Sequence, residues 1–370
     1  MALSKISNDM FTTISRPNAK PLIINGDMSV AQRGTSVTGK SSGGYYTCDR
    51  IKLNPDSLGT WTVIQESLTS GEAYNNGFRK AFRIDCTTAD ASPSSSDNLS
   101  VFTRLEGQDL QLFKKGTSNA EKFTLAFWVK SNKTGTTQVN LRDGDNTRMV
   151  SATYSISSAD TWEHKVLNFP ADTTGAFDND SANSLQIEWF LDSGTDYSSG
   201  TAPTAWEASS NADRNANNLD VGGSTDNDWA ITGVQLEVGE FNSSTLPPFQ
   251  HEDFGDNLAR CQRYFLNYIE GNGKIVGIAA SYNSSEVVLM HNFPTTMRSA
   301  PTLEISTGSS YYQHGEAGSI QAITGSDISI DRATLNGAQL LLTSMSANSG
   351  DGGFLYTGSS SSKISYTAEL

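Results

Sequence analysis

The chain has 370 residues, 36% hydrophobic, 9% aromatic and 18% charged, with 26 basic against 40 acidic side chains for a net charge of −14. Ser, Thr, Asn and Gly displace apolar and charged residues relative to an average globular chain, while the aromatic share excludes a disordered polymer. No apolar run approaches the ~18 residues of a membrane-spanning helix, so no membrane insertion is expected, and the acidic balance repels phosphate and argues against a nucleic-acid partner.

Residues 1–20 come first. Their apolar residues Leu3, Ile6, Met10, Phe11 and Ile14 recur every three or four positions, a helical pattern too short to stand alone. The segment reads as an arm that orders on a partner chain, and it lacks the apolar stretch of a secretory signal. PLIING (21–26), WTVIQES (61–67), FRKAFRIDC (78–86) and KFTLAFWVKS (122–131) then read as strands. In the last of these Phe123, Leu125, Phe127 and Val129 share one face and Trp128 lies on the other. TQVNLRD, MVSATYSI, WEHKVLNF, SLQIEWFLD and WAITGVQLEVG continue the series, separated by turn compositions such as SPSSSDN, DNDSAN and SSNADRNANN. Around ten strands over residues 21–250 predict one large sandwich or jelly roll.

The period changes in HEDFGDNLARCQRYFLNY. Phe254, Leu258, Cys261, Phe265 and Tyr268 form one stripe, Asp253 can cap its start, and LPPF (246–249) marks a boundary before it. This predicts a linking helix over 251–269. Over 270–370 strand patterns return, from KIVGIAASY and SEVVLMHNF to KISYTAEL. The expected fold is therefore all-β: a large jelly-roll or β-sandwich domain, one linking α-helix and a smaller C-terminal β-sandwich domain. No repeat of 20–50 residues is visible, which argues against a β-helix or propeller.

Gly34–Ser41 matches the phosphate-loop pattern letter by letter, but SSGGYYT follows it. No helix can start there to hold phosphate, so the match reads as chance. Cys48, Cys86 and Cys261 are odd in number and far apart and read as buried free thiols. His164, His251, His291 and His314 are scattered. Carboxylate pairs such as Glu188/Asp192 and Asp226/Asp228 are expected by number alone in a chain with 40 acids, and no enzyme is predicted. The acidic loops 143–146, 177–180 and 224–228 offer oxygen ligands but read first as solvated turns.

Sugars stack their apolar faces on aromatic rings. Trp61, Trp128 and Trp162 are expected in the core. Trp189, Tyr197 and Trp206 lie in or beside SGTDYSSGTAPTAWE and are candidates for a glycan face, with Asp196, Asp192 and Glu207 to accept hydroxyl hydrogen bonds. The acidic chain favours a neutral or amino sugar over an acidic one. Loops around Tyr311, Tyr312 and His314 are the alternative surface.

PLIINGDMSVAQRGTSV…YYTCDRIKL (21–53), KFTLAFWVKSN (122–132), ITGVQLEVGEFNSS…PPFQHEDFGDNLARCQRYF (231–265), FPTTMRSAPTLEIS (293–306) and SYTAEL (365–370) stand in collinear blocks. Together they resemble a family of phage virion proteins, tail fibres or minor structural proteins, many from phages of aquatic bacteria including cyanophages. Ile51 departs from that pattern, which often has Trp after Asp-Arg. The resemblance implies a jelly roll similar to carbohydrate-binding modules, placement on the tail or capsid surface after synthesis in the host cytoplasm, and no catalytic residues. It implies that the arm, through Leu3, Ile6, Met10 and Phe11, joins other virion proteins, that chains form a homotrimer, and that host cell-surface polysaccharide is the receptor. In jelly rolls of that kind the first and last strands often approach one structural Ca²⁺, which makes Asp27 and Asp228 its candidate ligands here; no other cofactor is expected. The alternatives are a decorating cement protein without a ligand and, less favoured, a polysaccharide-degrading tailspike.

Overall fold

The computed structural model describes residues 20–370, so Leu3, Ile6, Met10 and Phe11 of the expected arm lie outside the described residues. The chain divides into two compact units after Phe254. The fold is all-β, with three α-helices of nine residues or fewer among the described residues: α1 (Glu72–Asn75), α2 (Thr195–Ser198) and α3 (Phe254–Gln262). None is long and apolar enough to cross a membrane.

The strands of the first unit are, in chain order, β1 (Ser36–Lys40), β2 (Gly44–Tyr45), β3 (Lys52–Asp56), β4 (Thr60–Ser67), β5 (Lys80–Thr88), β6 (Asn98–Glu106), β7 (Phe123–Lys130), β8 (Gly135–Asp143), β9 (Arg148–Ile156), β10 (Glu163–Phe169), β11 (Asn183–Ser193), β12 (Glu207–Ala208) and β13 (Asp228–Val238). They form two antiparallel sheets, a six-stranded one ordered β1-β4-β5-β13-β7-β10 and a seven-stranded one ordered β12-β9-β8-β11-β6-β3-β2. Alternate residues of each strand face inward. Trp61, Phe82, Phe127 and Trp229 from the first sheet meet Val101, Leu141, Ile187 and Trp189 from the second in one apolar core. The result is a two-sheet sandwich of the jelly-roll class.

Period-two patterning finds most strands, and its failures have physical causes. PLIING is a turn rather than a strand: Asn25 adopts φ 59°, and its side chain bonds Val30 O, Asp49 O and Val30 N, each at 2.9 Å. Ile23 is thereby buried as a plug. β6 escapes the sequence reading because nearly every residue of NLSVFTRLE is buried, so no alternation is visible. The phosphate-loop match falls on β1, followed by a bend and the two-residue β2, as expected for a chance match.

In the second unit, α3 (Phe254–Gln262) leads into β14 (Phe265–Glu270), β15 (Ile275–Ser281), β16 (Val287–Asn292), β17 (Thr302–Ile305), β18 (Tyr312–Glu316), β19 (Ser319–Ile323), β20 (Ile328–Thr334), β21 (Gly337–Leu342), β22 (Gly352–Thr357) and β23 (Lys363–Thr367). A three-stranded sheet β14-β23-β17 and a seven-stranded sheet β19-β18-β22-β15-β16-β21-β20 share a core containing Leu266, Ile364 and Tyr366 with Leu289, Leu340 and Leu355. The helix is shorter than its stripe predicts. A turn from Tyr264 N to Cys261 O ends it, and Phe265 and Leu266 pair with Thr367 and Tyr366 across β14–β23. Phe265 and Tyr268 thus belong to a strand, whose ladder satisfies the backbone over a long-range contact that helical spacing cannot anticipate. Cys261 and Phe265 are buried, whereas Phe254 is exposed. All three cysteines are free and buried.

Candidate functional site

The aromatic residues nominated from sequence separate into three places. Trp189 lies at the centre of the sandwich with no exposed surface, edge-on to Phe127 at 5.6 Å. Trp206 is 8% exposed, donates Nε1–H to Pro170 O at 2.9 Å and packs near Phe123. Both are core plugs, and neither offers a free ring face to a sugar. Tyr197 alone reaches the surface, on α2 (Thr195–Ser198), with its ring 5.4 Å from Phe190. Asp196 beside it is exposed and accepts Ser95 Oγ at 3.3 Å. In the second unit Tyr312 and His314 are buried residues of β18 rather than loop residues.

Asp27 and Asp228 are not brought together. Thr232 Oγ1 donates to Asp27 O, four residues along β13 from Asp228, which is ~13 Å of strand. Asp228 instead pairs with Arg83 at 3.0 Å and accepts Asn132 N. Burial raises its carboxyl above the ordinary value against the pull of Arg83. No group of three or more His, Cys, Asp or Glu converges on a point among the described residues. In the 143–146 loop, Lys115 Nζ takes the place a cation would occupy, 2.5 Å from Asp143 and 3.1 Å from Asp172.

Two concave features stand out among the described residues of the first unit. The first, of about 370 Å³, opens on the outer face of the six-stranded sheet and is lined by Trp128, His164, Phe249, His251, Phe78 and Gln235 among others. Trp128 is half-buried here, not in the core as its hydrophobicity suggested, because it alternates out of phase with Phe127 and Val129. His164 lies opposite it in the β10–β7 register and stacks on it at 4.9 Å. Partial desolvation, then the charge of Lys165, holds the His164 imidazole below its ordinary pKa. The other wall is the segment after β13, where Phe249 and His251 stand 4.9 Å apart and both pack on Phe78. Gly233 forms part of the floor at φ +62°, and a Cβ there would meet Phe78 at 2.6 Å and Trp128 at 2.9 Å. Gln235 is tied down by Nε2–H bonds to Glu237 and Pro247 O. The volume falls in the ~300–1,000 Å³ range of small-molecule sites.

The second feature is a polar groove of about 240 Å³ on the outer face of the seven-stranded sheet, lined by Arg104, Arg142, Asn183, Gln186, Thr147 and Ser209 with Asp143 and Gly144. Beside it Glu188 is fully buried and held by Arg214 through Nη2 at 2.7 Å and Nε at 3.2 Å. Burial opposes its charge, but Arg214 and Arg142 outweigh that and hold its carboxyl below the ordinary value. Asn140 Nδ2 donates to Arg214 O and Gln138 Nε2 to Asp213 O, which seats this loop on the sheet. The Arg214 guanidinium covers both Phe190 and Tyr197. Sequence reasoning missed Arg104, Arg142 and Arg214; the signal that could have found Arg142 is its period-two placement beside the core residue Leu141.

No protein-family model and no curated protein matches the chain. Solved structures similar in shape include the enzymatically active domain of tailspike protein 4 of bacteriophage CBA120, at 15% identity and TM-score 0.28 over 59% of this chain and 21% of that one. A putative sugar binding protein from Bacteroides thetaiotaomicron matches at 15% identity and TM-score 0.28, over 59% of this chain and all of that one. The family 11 carbohydrate-binding module of a Clostridium thermocellum cellulase matches at 9% identity and TM-score 0.27, over 61% and 99%. The chain spans about a fifth of the tailspike's length.

Proposed function

We propose that this chain is a non-enzymatic virion structural protein, a phage tail fibre that binds host cell-surface polysaccharide through its first unit. The observation that carries the binding half is the Trp128 cleft, where rings stand on both walls and amide and imidazole groups lie within reach of a sugar's hydroxyls. A pyranose buries an apolar face against such rings and hydrogen-bonds at its edge. The virion half rests on the collinear sequence resemblance. Attachment through Leu3, Ile6, Met10 and Phe11 to other virion proteins is part of this reading.

The Glu188 and Asp192 pair supports a binding role over hydrolysis. Glu188 is fully buried and held in two bonds by Arg214, so it is not free to act as an acid or a nucleophile on a glycosidic bond. Asp192 is pushed up to about 6 by burial, yet its oxygens already accept Asn218 Nδ2 at 3.0 Å and Gly222 N at 2.8 Å.

The homotrimer is supported by an exposed apolar face on the second unit. Ile278 faces Phe354 across β15–β22, and Gly315 faces Phe354 on one side and Ile320 on the other. Ile278 is 77%, Ile320 70% and Phe354 45% exposed, with Met290 at 62% on neighbouring β16. A contiguous apolar patch of this kind favours a partner surface, and assembly multiplies weak sugar contacts by avidity.

The test is adsorption of purified protein to host cells. Trp128→Ala should cut adsorption at least tenfold with the fold retained by circular dichroism, and Ile278→Asp should shift the light-scattering mass from trimer to monomer. Undiminished adsorption of a folded Trp128→Ala variant would place the receptor surface elsewhere, and an unassembled wild-type chain would refute the trimer.

A further inference from the structure

The arginine groove has a charge opposite to that of the chain. Arg142 and Arg104 line it, and Arg214 flanks it beside the Glu188 carboxylate. That carboxylate is engaged in two bonds by Arg214 and stands 3.7 Å from Arg142 Nη1. The one acid of the lining, Asp143, points to the other face of β8 and has its carboxylate on Lys115. Arg104 Nε donates to Gln186 Oε1 at 2.8 Å, which fixes its plane. Arg142 Nε is buried with no hydrogen-bond partner, and so is Asn183 Oδ1 in the same lining.

Unpaired buried donors cost free energy unless something else satisfies them. Burial pulls the Arg142 pKa down; Glu188 opposes this, and the nearby Arg214 and Arg104 add smaller pushes in the direction of burial. A planar carboxylate matches a guanidinium fork in two parallel bonds. Asn183, Thr147, Gln186 and Ser209 around it supply both donors and acceptors suited to hydroxyls.

We infer that this groove is a second saccharide site, specific for the carboxylate of a uronic-acid residue, with Arg142 as the carboxylate-binding residue and Arg104 beside it. The saccharide part rests on the functional reading above; the carboxylate part rests on the groove alone. The site reverses the expectation of a neutral sugar drawn from the net charge, because recognition responds to the local field and not to the total.

The experiment compares binding of the full chain to oligogalacturonate and to the same oligomer with its carboxyl groups reduced to alcohols. The acidic form should bind at least tenfold more tightly, and Arg142→Gln should abolish that preference, a loss of about tenfold to a hundredfold for a charge-assisted contact. Trp128→Ala should leave the preference intact. On the unaltered protein, raising NaCl from 50 to 500 mM should weaken the acidic oligomer and leave the reduced one unchanged, which keeps the test open even where Arg142→Gln fails to fold. Equal binding of both oligomers by the wild-type protein, or a preference that survives in folded Arg142→Gln, overturns the inference while the saccharide reading stands. Failure of both oligomers to bind, with Trp128-dependent adsorption to cells intact, overturns it as well; loss of that adsorption dependence overturns the functional reading instead.

Discussion

The Lys115 ammonium lies 4.9 Å from the ring centre of Trp206, with its side chain wholly removed from solvent. Lys115 also donates to Asp143 at 2.5 Å and to Gly175 O at 2.6 Å, and faces the Phe177 ring at 5.1 Å. Asp172 closes the group: burial works against its charge, but bonds from Arg148, Thr174 and Lys115 prevail and hold its carboxyl below the ordinary value. The loop rich in Gly, Ser and Thr is therefore clamped onto the sandwich by its tryptophan, which sits over a buried cation.

Trp206→Ala should accordingly cost ~3–5 kcal/mol of unfolding free energy, as expected for truncating a large core ring. Urea denaturation measures it. A loss under ~1 kcal/mol, combined with reduced adsorption to cells, would return Trp206 to the binding surface.

Lys115→Met should be nearly as damaging, at ~3–5 kcal/mol, because it strands the buried Asp143 carboxylate without its counter-charge and leaves Asp172 to Arg148 alone. Asp143 is fully buried with it. The midpoint of denaturation in Lys115→Met, compared with wild type at pH 7, reads this directly; an unchanged midpoint would mean that solvent reaches the site.

Acid should weaken the second unit through His291. Its ring is buried, bonded through Nδ1 to Tyr366 Oη at 2.6 Å and stacked on Tyr268 at 3.9 Å. Burial pushes its pKa down to about 4 from 6.5. The folded state thus holds a neutral imidazole while the unfolded chain takes up a proton. The contribution is fully present above about pH 6.5, is lost as pH falls towards 4, and amounts to about 3 kcal/mol over that window. Denaturation series from pH 7 to 4 should show this slope in wild type and a shallower one in His291→Gln.

Gly233→Ala should close the cleft from its floor. The position requires a left-handed backbone, and the added methyl meets Phe78 and Trp128. A destabilisation of ~1–3 kcal/mol is expected, together with loss of adsorption as large as that of Trp128→Ala. Wild-type adsorption by a folded Gly233→Ala protein would show that the receptor does not enter there.

Chelation should leave the melting temperature unchanged. Arg83 bridges Asp228, Asp85 and Glu66 at 3.0, 2.6 and 3.3 Å, so the acid nominated for Ca²⁺ already has its counter-ion. A fall in melting temperature with EDTA that Ca²⁺ restores would reinstate a structural cation.

Much of the architecture is legible without coordinates because alternation is a local property. Phe123, Leu125, Phe127 and Val129 repeat at the period of the pleat, so their common burial follows from the backbone. The change of period at Phe254 marks α3 for the same reason, although the stripe runs on into β14, where pairing with β23 overrides it. Which outward residues become neighbours is a different kind of fact. Arg104 on β6 and Arg142 on β8 flank the same groove because β11 lies between their strands, and Trp128 meets His164 because β10 pairs with β7. Neither pairing is encoded in local composition. Burial likewise inverts the reading of Trp206, since a loop rich in small polar residues gives no sign that Lys115, Asp143 and Asp172 await it. Strand order and register, set by contacts far apart in the chain, convert an acidic sequence into a sandwich that carries an aromatic cleft and an arginine-lined groove.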